Sequence, residues 1–304
     1  MLAINDGSTD RSIEIIKSFK DKRVKIIDND TNKGLIYTLN KGLELASGTF
    51  IARMDADDIM LPDRLKKQYL YLQSHPEIDI CGCFIEIFCN KSTIGSQIYG
   101  VDNDHIKAEL LFNSPLAHPT YFIRKSAMNG YKYNSDYKYC EDYEFLSRFL
   151  LENHQASNLS EVLLKYRISN NSQTSTGEAD SCCRYTSISK IQSYILKHGL
   201  GFHVDEDMLR LHYCLSLNDR IKNMSLDEFS VKKIKEYFNQ LCLLNQKSAY
   251  CSKQALNLSL GKIWLKLIRY KSTVYKRKIP QLVLSRYTLW GIKFLLLHYK
   301  HNFR

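Results

Sequence analysis

The first half of the chain alternates short apolar runs with amphipathic segments. Runs of strand length, bounded by polar or glycine-containing turns, occur at Met1–Ile4, Val24–Ile27, Thr49–Met54 and Ile78–Phe88. Segments with apolar residues at helical spacing lie between them, at Arg11–Phe19, Gly34–Leu45 and Pro62–Gln73. Strands that alternate with helices through short links favour an α/β fold. The pattern therefore predicts a largely parallel sheet with flanking helices.

The second half, from about Ser181, differs because helical spacing dominates it. Helices are predicted over Ile188–Leu196, Met208–Leu217, Val231–Leu244, Gln254–Ile268 and Gln281–Tyr299. The polar stretch Ser169–Asp180 between the halves has the composition of a link. We therefore predict two units, residues 1–175 with the α/β pattern and residues 176–304 as a basic, mainly helical region.

The positive charge of the chain is concentrated at one end. Its 304 residues carry a net charge of +11, yet the last acidic residue is Glu236, and 13 lysines and arginines follow it. The first 236 residues hold 30 basic and 32 acidic side chains, a net charge of −2. A basic, acid-free tail indicates an anionic partner, either a membrane surface or a nucleic acid. No run reaches the ~18 consecutive apolar residues of a membrane-spanning helix.

The nine cysteines indicate neither a disulfide framework nor a metal site. Their number is odd, no charged-then-apolar leader precedes them, and Cys81 and Cys83 have neither zinc nor thioredoxin spacing. Reduced thiols are typical of cytoplasmic proteins. We therefore expect the chain to act in the cytoplasm.

The loop after the first strand-like run, Asn5–Asp10, is the first of three acidic sites. Ligands of open α/β sheets bind outside the carboxyl ends of the strands. A carboxylate here is therefore placed to accept hydrogen bonds from a nucleoside. The same residue types also form ordinary turns and helix caps, and the loop alone leaves both interpretations open.

A denser acidic cluster, Arg53–Asp58, follows the third strand-like run. Its carboxylates, Asp55, Asp57 and Asp58, repel one another unless a cation or hydrogen-bond donors offset them. Carboxylate and phosphate oxygens suit Mg²⁺ or Mn²⁺, and a metal-bound diphosphate is a better leaving group. The alternative is a solvated acidic turn before the helix at Pro62.

The third acidic site, Glu141–Glu144, opens a predicted helix over Tyr143–Leu151. A carboxylate at a helix N-terminus is placed to act as a general base, although acidic residues there also stabilise a helix through its dipole. His118 and Arg124 lie between the second and third sites. Phosphate-loop, dinucleotide-binding and nucleophile-elbow motifs do not occur in the sequence.

In their order and spacing, the three sites resemble the family-2 inverting glycosyltransferases of GT-A fold, which use nucleotide-diphosphate sugars. The resemblance covers about residues 1–172, and its matching segments are Asn5–Asp10, Asn32–Gly34, Leu39–Gly42, Ala46–Gly48, Ile51–Asp58, Leu61–Leu65, Ala117–Thr120, Glu141–Tyr143 and Tyr166–Arg167. It implies a Rossmann-like mixed sheet with flanking helices, followed in this chain by the helical region.

The resemblance also implies roles on the donor side of the reaction. Asp6 would contact the base or ribose of the donor, for which we expect a UDP-sugar. Arg53 and Asp55 would bind the same nucleotide-sugar, and Asp55 would contact either its ribose or the metal. Asp57 would bind the Mn²⁺ or Mg²⁺ that holds the diphosphate.

On the acceptor side, the resemblance implies that Asp142 is the general base. It would deprotonate an acceptor hydroxyl, which then attacks the anomeric carbon from the face opposite the leaving nucleotide and inverts it. His118 and Glu141 would line the acceptor side. We expect a glycan or a lipid-linked glycan as acceptor, and a role in bacterial-type surface polysaccharide or lipopolysaccharide synthesis.

Two departures from the family pattern bear on nucleotide and metal binding. Family members begin with a further strand and helix, so the chain resembles a member truncated at its N-terminus. Many relatives carry a histidine two residues after the Tyr-Arg pair, where this sequence has Ser169. A second hypothesis is therefore a non-catalytic glycosyltransferase remnant that still binds a membrane or a partner.

The basic tail has the composition of a membrane-surface helix. Aromatic and aliphatic residues alternate there with cations, as in Trp264, Leu265, Lys266, Leu267, Ile268, Arg269, Trp290, Ile292, Lys293, Phe294, Leu295 and Leu296. This pattern predicts peripheral binding to an anionic surface at the cytoplasmic face of a membrane. A solvated basic face of a helical bundle is the alternative. Nucleic acid is disfavoured, because the sequence contains no recognised binding module.

Overall fold

A computed structural model describes residues 1–90, 92–168, 181–272, 275 and 279–302. The predicted link Ser169–Asp180, which includes the departure at Ser169, lies outside these residues. The first elements are β1 (Leu2–Asn5), α1 (Ser12–Ser18), β2 (Lys25–Asp28) and α2 (Leu35–Leu45). They agree with the predicted alternation. β1 and β2 pair in parallel, with Leu2 opposite Lys25.

The β1–β2 pair is a separate two-stranded sheet among the described residues. α2 lies against β1, and a Cβ on Gly42 would come within 3.2 Å of Ile4 Cδ1. The side chain of Asn40 ties α2 to the rest of the chain, because it donates to the carbonyl of Tyr133 at 2.9 Å and accepts from its N–H at 2.8 Å. The expected N-terminal truncation stays a prediction.

The other strands of the described residues form a mixed six-stranded sheet. They are β3 (Phe50–Ala52), β4 (Ile59–Met60), β5 (Ile80–Cys89), β6 (Ser92–Gln97), β7 (Phe122–Arg124) and β8 (Ala156–Arg167). Their order is β3-β7-β5-β8-β4, with β6 also paired to β5. Helices α3 (Arg64–Ser74), α4 (Asn103–Leu110) and α5 (Glu141–Leu151) flank the sheet, with 3₁₀ turns at His118–Thr120 and Lys125–Met128.

In this larger sheet β5 and β8 are parallel, and the other pairs are antiparallel. The expectation of a largely parallel sheet is therefore wrong, whereas the mixed sheet implied by the resemblance is confirmed. The alternation of strands and helices did not predict these strands, because β4 and β6 follow another strand with no helix between them and β7 has only three residues. β6, for example, follows β5 directly and reads Ser92–Gln97 with every residue exposed.

The second half is helical, as predicted. Its helices are α6 (Ser181–Leu200), α7 (Glu206–Cys214), α8 (Asn218–Asn223), α9 (Val231–Ser248), α10 (Lys253–Lys271), α11 (Ile279–Val283) and α12 (Arg286–Asn302). The side chains of Ser230 and Ser252 cap α9 and α10, accepting from backbone N–H groups three residues on at 3.1 and 3.2 Å. The single helix predicted over Gln281–Tyr299 is in fact two, α11 and α12.

One hydrophobic cluster contains side chains from both halves. Phe112 and Phe145 from the first half join Ile195, Phe238 and Trp264 from the second. Trp264 is fully buried, so it cannot face a membrane as the sequence pattern suggested.

Hydrogen bonds cross between the halves as well. Gln192 Nε2 donates to the carbonyl of Phe112 at 3.0 Å, and His212 Nε2 lies 2.6 Å from the carbonyl oxygen of Leu111. The helical region therefore packs directly against the sheet region. Division of the chain at residue 175 stays a prediction.

Candidate active site

The carboxylate of Asp6, directly after β1, holds the loop that precedes α2. Its Oδ1 accepts from Asn29 Nδ2 and from the N–H of Lys33, and its Oδ2 from the N–H of Gly34, each at 2.8 Å. Burial opposes ionisation, but these donors lower the pKa of Asp6 overall. In this structure the side chain therefore stabilises the loop before α2. Its contact with a nucleotide stays a prediction.

Arg53 follows β3 and forms a two-bond fork with Asp55. Its Nη1 lies 2.8 Å from Asp55 Oδ2, and its Nη2 lies 2.5 Å from Oδ1. The backbone is fixed on both sides, since the N–H of Arg53 donates to the carbonyl of Tyr121 and its own carbonyl accepts from Arg64 Nη2 at 2.6 Å. Arg64 is itself fully buried. The fork is therefore held rigidly at the end of β3.

Asp55, Asp57 and Asp58 come together as the sequence predicted. One carboxylate oxygen from each lies within 4.8 Å of the others. Asp58 is buried, and its Oδ1 accepts from the N–H of Arg167 at 2.9 Å. Arg167 also donates from Nε to the carbonyl of Asp57 at 2.7 Å. The end of β8 thus anchors the acidic loop through contacts between distant segments, which local sequence patterns do not predict.

This cluster fits a divalent cation. The Oδ2 atom of Asp58 is buried and has no hydrogen-bond partner, which is costly unless something else binds it. Burial raises the pKa of Asp58 to about 6, and the charges of Asp55 and Asp57 add to that shift. An all-oxygen set of this kind suits Mg²⁺ or Mn²⁺. Asp58 therefore joins the predicted Asp57 as a candidate ligand.

Glu141 and Asp142 occupy the first turn of α5, two residues earlier than the predicted start of that helix. Glu141 is buried and Asp142 is half-buried. Burial raises the pKa of Glu141 to about 7, with a further contribution from the neighbouring Asp142 charge. Burial also raises the pKa of Asp142, against a hydrogen bond from the N–H of Tyr143. Carboxyl groups with raised pKa values are suited to proton transfer near neutral pH.

Arg53 connects the two acidic groups electrostatically. Its charge lowers the pKa of Asp142 and of Glu141, as it does that of Asp55. The positive charge of Arg184, in the first turns of α6, also lowers the pKa of Asp142. Sequence reasoning missed Arg184, because only the docking of α6 brings it near α5. The metal-site candidates and the candidate base therefore belong to one electrostatically connected site.

His118 is buried, and the charge of Arg53 acts on it as well. Its Nε2 lies 2.8 Å from the hydroxyl of Tyr133, and its ring meets that of Tyr121 with centroids 5.0 Å apart. Burial, together with the Arg53 charge, holds its pKa well below the usual value. His118 is thus a neutral imidazole bonded to Tyr133, and its acceptor-side role stays a prediction.

Comparisons with known proteins agree with this geometry. Residues 1–131 match the sequence profile described as glycosyl transferase family 2. An uncharacterized glycosyltransferase of Haemophilus influenzae is 33% identical over 258 residues, covering 77% of this chain and 79% of its own. An Escherichia coli UDP-Glc:alpha-D-GlcNAc-diphosphoundecaprenol beta-1,3-glucosyltransferase, WfgD, is 29% identical over 176 residues, covering 58% of this chain and 68% of its own.

A solved structure shares the fold. The crystal structure of S. aureus TarS 1-349 superposes with a TM-score of 0.51 at 17% sequence identity, covering 92% of this chain and 81% of that one. Similarity at this level of identity concerns the backbone arrangement alone.

Proposed function

Because the chain belongs to glycosyltransferase family 2 and has the GT-A fold, we propose that it transfers a sugar from a nucleotide-diphosphate sugar to an acceptor hydroxyl with inversion. The observation that supports this most is the electrostatic connection of Asp55, Asp57 and Asp58, through Arg53, to the raised-pKa carboxyl group of Asp142. Donor binding and proton removal would occur at the two ends of this site.

At the donor end, Asp57 and Asp58 would hold Mn²⁺ or Mg²⁺ against the diphosphate, with Asp55 beside them. When bound, the cation would act as a Lewis acid that stabilises the leaving diphosphate. Arg53 keeps Asp55 oriented through its fork. A UDP-sugar is the donor that we propose first, since the name of the E. coli relative includes UDP-Glc.

At the acceptor end, Asp142 would accept the proton of the attacking hydroxyl. The freed oxygen forms a bond to the anomeric carbon while the bond from that carbon to the diphosphate oxygen breaks. The proton stays on Asp142 and the electron pair leaves with the nucleoside diphosphate. Attack from the face opposite the leaving group gives inversion. Glu141, whose pKa is about 7, would line this end.

We propose a glycan or lipid-linked glycan as acceptor, in surface polysaccharide synthesis. The name of the E. coli relative includes a sugar on diphosphoundecaprenol. Nucleotide-sugars and such an acceptor would meet at the cytoplasmic face of a membrane, where we propose that the chain acts. None of the described helices is both long and apolar enough to span a bilayer.

The direct test is to incubate the full chain with an α-linked UDP-sugar, Mn²⁺ and a sugar diphosphate-lipid acceptor. We expect release of UDP together with a β-linked product, read by NMR of the anomeric proton. An α-linked product would contradict inversion. Donor binding with no transfer to any acceptor tried would favour the non-catalytic remnant.

A further inference from the structure

The outer face of α12 is apolar and uncovered. Leu289, Ile292 and Leu296 are spaced three and four residues apart, so they lie on one side of the helix. They are 68%, 46% and 61% exposed. Leu295 is exposed as well, and Leu284, just before the helix, is 80% exposed. We call Leu289, Ile292, Leu295 and Leu296 the outer face of α12.

This face cannot turn inward, because the opposite side of α12 is locked to α10. A Cβ on Gly291 would come within 2.6 Å of the carbonyl oxygen of Gly261 and 2.4 Å of Leu265 Cγ. The buried ring of Tyr287 lies 5.3 Å from that of Trp264, centroid to centroid. Backbone contact and ring packing thus fix the rotation of the helix about its axis. The apolar side chains stay exposed because the buried side is already filled.

Positive charge surrounds the outer face. Lys293 is exposed between Ile292 and Leu296, and Arg286 and Lys253 are exposed nearby along a groove that they line with Trp290. From residue 237 to the C-terminus the sequence has no Asp or Glu. A helix with one apolar face and a cationic border has the chemistry of an interfacial membrane helix.

We propose that the outer face of α12 lies on an anionic phospholipid surface, with its leucines in the acyl boundary and Lys293 and Arg286 at the headgroups. The helix would lie in the plane of the interface, since no described helix can cross a bilayer. The inference rests on the proposed function in one respect only, namely that membrane binding would bring the candidate active site to a lipid-linked acceptor. The binding itself is independent of catalysis.

Two other occupants fit the face less well. A nucleic acid would use the cations but would leave a row of leucines facing water or phosphate. A second copy of the chain, paired about a two-fold axis, would bring the same patch to each side. Lys293 and Arg286 would then face their own copies with no acidic residue on the segment to offset them. An anionic lipid surface satisfies both the apolar and the charged components.

The test is co-sedimentation of the full chain with vesicles of phosphatidylglycerol and phosphatidylcholine, compared with phosphatidylcholine alone. The test variant is Leu289→Gln, Ile292→Gln and Leu296→Gln together. The matched control replaces three equally exposed apolar residues of the first half, Ile15, Leu70 and Ile94, by Gln. Far-UV circular dichroism and melting temperature verify folding, and donor-induced thermal stabilisation verifies that the donor site is intact.

We expect the parent and the control to bind the anionic vesicles, and less so at high salt. The α12 variant should bind at least about tenfold less, since burial of one leucine side chain alone is worth that much, while its donor response stays unchanged. Equal binding by the α12 variant and the control would overturn the proposal. So would a dimer in the parent that dissociates in the α12 variant, or binding to DNA or RNA that the α12 variant loses.

If the α12 variant does not fold, Lys293→Glu gives a second readout with the leucines intact. It should weaken binding to phosphatidylglycerol vesicles, because it places a negative charge at the cationic border of the face. Unchanged binding of that variant would overturn the proposal. If donors do not stabilise the parent chain thermally, that result would count against the proposed function. It would not affect the conclusion on lipid binding.

Discussion

The backbone N–H of Arg167 donates to Asp58 Oδ1 at 2.9 Å, across 109 residues of sequence. This bond connects the last strand of the sheet to the acidic loop after β3. It leaves the other carboxylate oxygen of Asp58 buried and without a hydrogen-bond partner. A cation at that oxygen would remove the cost of burying it. This bond therefore connects the fold to the metal-dependent donor binding that we propose.

Asp142→Asn should abolish transfer while leaving donor binding nearly intact. The amide keeps the shape of the side chain but cannot accept the hydroxyl proton, so we expect kcat to fall by about 10²–10⁴-fold. Steady-state kinetics and donor titration measure the two effects separately. Glu144→Gln, which disturbs only the pair with Arg148, is the control. Loss of donor binding in Asp142→Asn would count against its role as base.

Arg53→Gln should move the acidic limb of the kcat profile to higher pH. The charge of Arg53 lowers the pKa of Asp142, so its removal leaves the base protonated up to a higher pH. Arg53→Lys keeps the charge and loses the two-bond fork to Asp55. We expect it to shift the limb less but to raise the KM for the donor. An unchanged profile in Arg53→Gln would show that Arg53 and Asp142 are not coupled.

Glu141→Gln should stabilise the metal-free protein at high pH. The pKa of Glu141 is raised from 4.5 to about 7 in the folded chain, so the folded state binds this proton more tightly than the unfolded state. The free energy of unfolding therefore falls as pH rises from about 4.5 through 7. The advantage of the variant should be absent near pH 4 and reach at most about 3 kcal/mol above pH 7.

Urea unfolding with EDTA at both pH values measures this difference. Glu44→Gln, at an exposed position of α2, is the control for the substitution itself. A constant difference between Glu141→Gln and the parent at the two pH values would mean that Glu141 titrates alike in both states.

Gly291→Ala should destabilise the chain by about 1–3 kcal/mol, as overpacking typically does. The added methyl group would meet the carbonyl oxygen of Gly261 at 2.6 Å, and backbone cannot move aside as a side-chain tip can. Thermal or urea unfolding measures the change. Gly95→Ala, with no atom within 4 Å of the added group, is the control. Equal stability of the two variants would contradict the close contact between α10 and α12.

The acidic segments were predictable because each is a short local pattern at the end of a strand or the start of a helix. Asp55, Asp57 and Asp142 stand where the sequence placed them. The anchoring of Asp58 by Arg167 and the approach of Arg184 to Asp142 were not predictable. Both depend on contacts between segments far apart in sequence, and local periodicity carries no information about those.

The basic tail is a second example of packing that local sequence patterns do not predict. Composition grouped Trp264 and Leu267 with Ile292 and Leu296 as one amphipathic series. The structure buries the first two completely and leaves the last two 46% and 61% exposed. Only the packing of α12 on α10 decides which apolar side chains form the core and which form a surface.

A thermal-shift panel tests whether the chain has a metal-dependent nucleotide-sugar site. The full chain would be melted with UDP-, GDP- and dTDP-sugars, with and without Mn²⁺, beside Asp57→Ala. Saturation at 100 times Kd adds about 2.7 kcal/mol of stability. We predict a shift that needs Mn²⁺, is largest with the UDP-sugar and is lost in Asp57→Ala. No shift with any donor, or an equal shift in Asp57→Ala, would contradict a nucleotide-sugar site that depends on a metal bound by Asp57.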